Sequence, residues 1–394
     1  MRTIGVEERR ARLAVRHRLA PSARATTSEQ VAEAVVALHG TDPASVFLAV
    51  AARADVTHED VERALYDDRT LLRMLGMRRT VFTVPVDAAP VVQAACARAI
   101  AVQERRRTIG FLEKAGFGEK FGTDVPSWFA DVEESTLRAL AKRGEALATE
   151  LSADEPRLRE QILMAAGKPY EARQAISTRV LFGLGAHGRI VRARPRGSWI
   201  SSQYRWSTPE GWLGAPIADL PTDTARAELV RRWLATFGPG TAADLKWWTG
   251  LTMGEVRKAL AAVGAVEVDL DGTTGLVLPD DVAPVATPEP WVAMLPALDP
   301  TAMGWAARDW YLGAYVKELF DRSGNVGPTI WRDGRIVGGW AQRADGEVVY
   351  RLLEDVGGEA SAQVEREAAR LTGWLGGVRV TPRFRTPLEK DLTG

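Results

Sequence analysis

The chain has 394 residues, enough for about two to four domains at roughly 100–200 residues each, and 46% of them are hydrophobic, enough to bury a core in every domain. A single cysteine, Cys96, excludes an internal disulfide, a CxxC redox pair and a cysteine-built zinc site, and the four histidines (His17, His39, His58, His187) are too widely spaced for a His-x-x-x-His pair, so no metal and no cofactor are expected. Lys+Arg and Asp+Glu balance at 51 each, which supplies no overall field for a polyanion, yet seven arginines against two glutamates in residues 1–24 and five arginines without an acid in 187–206 leave local basic faces for DNA, offset by nine acids against five bases in 124–160.

The start, MRTIGVEERRARL, is charged from its second residue and has no apolar core of signal-peptide length, and no apolar run approaches ~18 residues, so a cytoplasmic protein is expected. From residue 5 to about 285, short apolar-periodic helices, Gly or Asp turns and short β-like segments recur. Residues 1–85 form the first such unit and end in MRRTVFTVP. Within it the helix SEQVAEAVVALH is expected to stop at Gly40 in a left-handed conformation, and Asp42 then precedes Pro43 as an N-cap followed by proline at the first helical position. His39 and Thr41 are thereby placed at a corner between two helices, near the positive end of the second. A lone histidine at such a corner is more often structural than catalytic, and Asp42 alone reads as a cap.

Residues 86–129 are a helical connector, basic in the middle (QERRRTIG). Residues 130–221 form the second unit, with DVEESTLRALAKRG, EALATELSADEP and RLREQILMA as its helices. Gly183-Leu184-Gly185-Ala186-His187-Gly188 matches G-x-G-x-x-G, with the apolar TRVLF in the strand position before it. The helix that a dinucleotide site requires does not follow, because RIVRARPRG alternates and contains Pro195, so the glycines are read as shaping a wing. His187, Arg189, Arg192, Arg194 and Arg196, with Arg78 and Arg79 of the first unit, form the expected DNA-binding set; a solvated basic strand weighs equally for the stretch after His187.

The clearest unit is 222–285. TDTARAELVRRWLATF carries Ala225, Leu229 and Trp233 at helical spacing, Thr241 and Thr252 cap two further helices, and VEVDLDGTTGLVLP alternates about an Asp271-Gly272 turn. Three helices and a hairpin are the winged-helix pattern, although an unspecialised helical bundle with one hairpin would share the spacing. In residues 286–394 the pattern changes. Asp-Gly turns at 333–334 and 345–346 separate β-rich runs, and EASAQVEREAARLTGWL is an amphipathic helix, together a small β-barrel or meander. Twelve of the thirteen tryptophans lie at or after Trp199, most of them expected in cores and the rest available to stack on bases. The expected class is α+β, with three tandem winged-helix units and a C-terminal β-barrel-like domain.

LHGTDPASVFLA and RALYDDRTLLRMLGMRRTVFTVP in residues 36–85, GPGTAADLKWWTGL near 238–251 and LPALDP followed by GNVGPTIWRDGRIVGGW near 295–340 together resemble the winged-helix superfamily that contains the AlkZ- and YcaQ-type bacterial DNA glycosylases. The resemblance runs over nearly the whole chain in matching order. It implies tandem winged helices and a C-terminal β-barrel arranged around duplex DNA, a monomeric nucleoid-associated enzyme, and a monofunctional cut of the glycosidic bond to an N7-alkylated, bulky or crosslinked guanine. In those glycosylases a Gln-x-Gln or Gln-x-Asp pair stands just before an aspartate that opens a helix. Carried onto this chain, the pair falls on His39 and Thr41 and the aspartate on Asp42. Both paired positions depart from the family, as they also vary among natural-product self-resistance members of the superfamily.

The chemistry accommodates that departure. N7-alkylguanine carries a positive charge and is an activated leaving group, so the protein needs only to stabilise an oxocarbenium-like sugar and place one water. Neutral His39 would orient or deprotonate the water, with the Thr41 hydroxyl as its second partner. The competing expectation is a non-catalytic winged-helix regulator, which the absent glutamines favour; a small-molecule enzyme built on GLGAHG has the least support.

Overall fold

The computed structural model describes residues 1–164, 167–168 and 171–394, and the chain divides into two units. The first contains Met1–Leu71, Phe82–Pro85 and Arg226–Gly394; the second contains Leu72–Val81 and Val86–Ala225. Helices are mixed with small sheets throughout, so the α+β class holds.

In the first unit Thr27 caps the helix Ser28–Ala34 by accepting the Gln30 N–H. That helix ends earlier than its polar–apolar pattern suggests. Val36, not Gly40, takes the left-handed conformation (φ 63°), and Leu38–His39 is a two-residue strand paired antiparallel with Phe82 and Thr83. The β-branched pair Val35-Val36 disfavours helix, and complete burial of Val35 and Leu38 draws the segment into the sheet. Asp42 then caps Pro43–Ala51 as expected, its Oδ1 accepting the Ala44 N–H at 3.2 Å. All nine residues of that helix are buried, which its continuous apolar sequence PASVFLAVA requires.

Just past this helix stands the polar centre of the unit. Arg53 and Asp299, both without any exposure, form a two-pronged pair at 2.9 and 2.6 Å. The remaining Arg53 donors go to the carbonyls of His17 (3.0 Å) and Ala49 (2.8 Å) and to Thr301 Oγ1 (2.8 Å). His17 Nδ1 lies 2.8 Å from the same hydroxyl, with its ring against Phe237 and Trp305. Burial, reinforced by the Arg53 charge, pushes the His17 imidazole well below its usual range.

The arginine-rich start is used internally. In the helix Val6–Arg16, buried Arg12 bridges Glu8 (2.9 Å) and Asp281 (2.8 Å), Arg16 reaches Asp281 and the Gly238 carbonyl, and Arg10 holds the Trp310 carbonyl. Arg2 pairs with Glu8, Arg9 lies over the Trp310 ring, and Arg18 and Arg24 meet backbone carbonyls. The basic excess of residues 1–24 is therefore largely engaged in contacts inside the unit.

Thr241 and Thr252 cap Ala242–Thr249 and Met253–Ala262, each in a reciprocal box with Asp244 or Glu255. The strands Val266–Leu270 and Thr273–Val277 meet at Asp271 and Gly272, both with positive φ (52° and 94°), as a tight hairpin requires. Beyond residue 286 the strands Val292–Leu295, Thr329–Arg332, Arg335–Gln342 and Val348–Leu352 form one open antiparallel sheet in that order. The barrel expected here does not close, since the first and last strands are the two edges of the sheet. Gly357–Leu375 and Pro387–Thr393 are its larger helices. Trp233, Trp248, Trp291, Trp305, Trp331 and Trp340 are all buried, so these rings are core and not stacking surface.

In the second unit the helices Arg98–Lys114, Val125–Arg143 and Ser177–Ala186 share a core of Leu112, Phe129, Val132, Leu140, Val180, Leu181 and Leu184. Two expectations are overturned. RLREQILMA, of which Ala165 lies outside the described residues, is a short turn followed by the strand Gln161–Met164, paired with Ala172–Ala175. TRVLFGLGA is helix, not strand and wing. Val180, Leu181 and Leu184 have helical spacing, and a Cβ at Gly185 would stand 3.6 Å from the Trp206 ring, an ordinary contact. The strands that follow are Val191–Pro195 and Tyr204–Ser207, with Glu145–Ala146 on the far side of the latter.

Gly185→Ala should be neutral or stabilising by about 0.5–1 kcal/mol, as for alanine replacing glycine inside a helix. Gly188→Ala should lower the melting temperature instead, because Gly188 has φ 71° and the added Cβ would stand 3.0 Å from Gln93 Oε1; the reverse order would indicate a glycine cradle. Arg53→Met should cost about 3–5 kcal/mol in denaturant unfolding by leaving Asp299 unpaired, and the double variant Arg53→Met/Asp299→Leu should recover part of that loss. For His17 the folded-state pKa lies below the unfolded one, so its contribution is full above about pH 6.5 and is lost as pH falls, by up to ~1.4 kcal/mol per pH unit. His17→Asn should accordingly flatten the decline in urea midpoint between pH 7.5 and 5.5.

Candidate functional site

The first unit brings His39, Thr41 and Asp42 together at the junction between a short strand and a buried helix. His39 is 9% exposed, and its ring meets Phe82 edge-on at 5.4 Å; Phe82 in turn lies 6.4 Å from Trp248. Thr41 is half-buried, between a buried Gly40 and the buried cap Asp42. Pairing of Leu38 and His39 with Thr83 and Phe82 fixes the backbone under the imidazole. Asp42 has each carboxylate oxygen engaged by a backbone N–H, Oδ1 by Ala44 at 3.2 Å and Oδ2 by Arg383 at 3.0 Å. Those two bonds suit a structural anchor and are strong because the acceptor is charged.

Beneath the corner Asp42, Ser45, Leu48, Trp340, Gln342 and Val380 leave only about 10 Å³, room for about one water. A purine does not fit there. The corner can act only on a group brought to it from outside this packed layer, with the imidazole and the Thr41 hydroxyl as its polar atoms.

The other candidate residues belong to the second unit. Arg192 is half-buried over the Trp206 ring at 4.8 Å, and burial pushes its guanidinium down to about 10. Arg194 is half-buried; Arg196 is exposed, with its backbone N–H fixed on the Gln203 carbonyl at 2.8 Å. Arg189 is exposed and pairs with Glu134 at 3.3 Å. His187 ends the helix Ser177–Ala186, and burial, with Arg105 and Arg189 adding to it, lowers its pKa, so the ring is neutral at pH 7. Arg78 and Arg79 form a two-residue turn with φ 51° and 62°, closed by the Thr80 N–H on the Met77 carbonyl at 3.0 Å, and Arg79 pairs with Glu104 at 2.9 Å. Consecutive arginines in a conformation that suits Asn-Gly are a strained choice.

Sequence patterns alone pass over several residues. Arg98 and Arg138 line, with His187 and Arg189, a cleft of about 460 Å³ whose apolar side is Leu137, Ala141, Pro216 and Ile217. Arg73 is 2% exposed, donates to the Tyr204 hydroxyl and lies over that ring at 4.8 Å. Its signal is an arginine inside the apolar run LLRML. Arg383 leaves no such signal, since its contact with Asp42 spans 341 positions.

The profile of the family described as DNA glycosylase AlkZ-like matches residues 32–374. An interstrand DNA cross-link repair glycosylase of Streptomyces sahachiroi is 26% identical over 215 residues, covering 52% of this chain and 57% of that relative. The chain thus spans little more than half the length of the curated relative it matches. The solved structure of the Streptomyces sahachiroi DNA glycosylase AlkZ superimposes with a TM-score of 0.70 over 97% of this chain and 100% of that one, at 21% identity, a likeness of fold. Because the family profile spans most of the sequence and includes the His39–Thr41–Asp42 corner, the chain belongs to the AlkZ-like DNA glycosylase family.

Proposed function

We propose that this chain is a monofunctional DNA glycosylase that hydrolyses the N-glycosidic bond of an N7-alkylated guanine, bulky or crosslinked, in duplex DNA. The observation that carries the reading is the family match over residues 32–374, with the strand–helix corner of His39 and Thr41 inside it. The name of the similar Streptomyces sahachiroi enzyme, an interstrand DNA cross-link repair glycosylase, supports crosslinked DNA as the substrate class. In this reading the protein works as a monomer on nucleoid DNA, in self-resistance to an alkylating metabolite. The three helix-and-hairpin units at 1–85, 130–221 and 222–285 serve as winged helices, with 86–129 as connector and 286–394 as the accompanying β domain.

The second unit supplies the phosphate contacts, principally the exposed Arg189 and Arg196, while Arg192 stiffens the wing by covering Trp206. At the corner, neutral His39 accepts a proton from the attacking water as the bond to the cationic base stretches, and Thr41 orients that water. The base leaves with the bonding electron pair, which neutralises its own positive charge, so no acid is needed to protonate it. Asp42 acts through the backbone it holds.

A sequence-reading regulator is the second reading, favoured by both family glutamine positions being occupied by other residues, His39 and Thr41. Incubation with duplexes bearing a defined N7-guanine adduct, followed by alkaline cleavage at abasic sites, separates the two: tight binding without cleavage belongs to the regulator. For a glycosylase, His39→Ala should lower the single-turnover rate by about 10²-fold or more with little change in DNA affinity, and Thr41→Ala should cost less. Wild-type rates in both variants would remove the corner from the chemistry.

A further inference from the structure

Residues 376–386 lie beyond the stretch matched by the family profile and have no regular secondary structure beyond Gly376–Gly377, yet they are held at several points. The Val380 N–H donates to Gln342 Oε1 at 2.8 Å, and Gln342 Nε2 donates back to the Val378 carbonyl at 3.1 Å. Thr386 is buried where the helix Pro387–Thr393 begins. Between these anchors the Arg383 N–H donates to Asp42 Oδ2 at 3.0 Å. A segment that served only to connect the helix Gly357–Leu375 to the last helix would run freely over the surface; this one is tied to the residue directly after Thr41.

The segment carries three arginines with different fates. Arg379 donates to the Arg343 carbonyl, and Arg385 is paired with Glu389 at 2.6 Å and reaches Thr393. Arg383 is exposed and has only the neighbouring Phe384 ring at 5.9 Å; no carboxylate or carbonyl among the described residues takes its guanidinium. Its backbone is fixed beside the corner while its charge is left for something else. The Asp42 carboxylate that holds its backbone is itself shared between two backbone N–H groups.

We propose that Arg383 binds the DNA phosphodiester adjoining the nucleotide that reaches His39 and Thr41. The chemistry selects the backbone over the base: a permanently charged planar fork matches two phosphate oxygens, whereas an N7-alkylated guanine is itself cationic and repels it. The contact holds the sugar of that nucleotide in register with the imidazole, so binding at Arg383 contributes orientation at the reacting carbon. The inference rests on the glycosylase reading of the corner, and it adds a residue from outside the matched region to that site.

The test uses the full chain and a duplex with one N7-alkylguanine, in which the two linkages flanking the lesion are either natural or replaced by uncharged methylphosphonates. Binding is measured by fluorescence anisotropy from 50 to 300 mM salt, and excision by single turnover at saturating enzyme. Arg383→Ala should weaken binding to the natural duplex by about tenfold and shallow the dependence of log K on log salt by about 0.9, the value of one phosphate. The saturating excision rate should fall as well, by about tenfold, because the sugar is no longer held in register with the imidazole. Arg383→Lys should restore the salt slope, since charge alone carries that term. The methylphosphonate duplex should cost wild type about as much as the substitution does, and should cost Arg383→Ala nothing further. An unchanged salt slope in Arg383→Ala, or full additivity of the substitution with the uncharged linkages, overturns the proposal. Absence of abasic sites with wild type would overturn the glycosylase reading instead, because the binding measurements report on the contact whether or not the base is released.

Discussion

Arg53 and Asp299 are two full charges with no access to water, and neither can stay buried without the other. The guanidinium spends every donor it has, on the His17 and Ala49 carbonyls, the Thr301 hydroxyl and both oxygens of Asp299. Three stretches of chain must therefore meet at one point and in one orientation. Arg53 stands two residues past the helix Pro43–Ala51, which the candidate corner directly precedes. A nine-residue helix is a rod of about 13 Å, so an ion pair at its far end sets where the corner lies.

At the near end of the rod Asp42 performs the corresponding task with backbone groups. One oxygen starts the helix and the other holds Arg383. The aspartate is thus part of the frame that carries His39 and Thr41. In the proposed reading the substrate brings its own positive charge, so the protein has to supply orientation and a base and no strong acid has to protonate the leaving group.

What can be read in the amino-acid sequence is what neighbouring residues decide among themselves. The caps at Asp42, Thr241 and Thr252 and the Asp271-Gly272 hairpin stand where the chain announces them, because each satisfies donors within three positions or a local φ requirement. Segment 177–186 misleads because Gly183 and Gly185 look like a turn, whereas burial of Val180, Leu181 and Leu184 at helical spacing makes it a helix. The end of Ser28–Ala34 misleads because Gly40 is a natural stop, while burial of Val35 and Leu38 stops the helix first. The arginines of residues 1–24 look available because Asp281 and the Trp310 carbonyl, their partners, lie far along the chain. At the candidate site the cap at Asp42 is legible, whereas the strand that carries His39 and the Arg383 tether, for the same reason of distance, are not.

The division of the chain has a consequence during protein synthesis. The sequence passes between the two units four times, and the first unit needs residues from both ends of the chain. Asp299 follows Arg53 by 246 residues, so at roughly 5–20 residues per second the ribosome delivers it about 10–50 s later. Until then the arginine has no counter-charge, and the apolar helix before it has no finished core to enter. The whole second unit emerges in that interval and can fold first. A nascent chain stalled anywhere before residue 299 would expose PASVFLAVA to chaperones or to aggregation, which makes the first-translated part of the protein the last to become native.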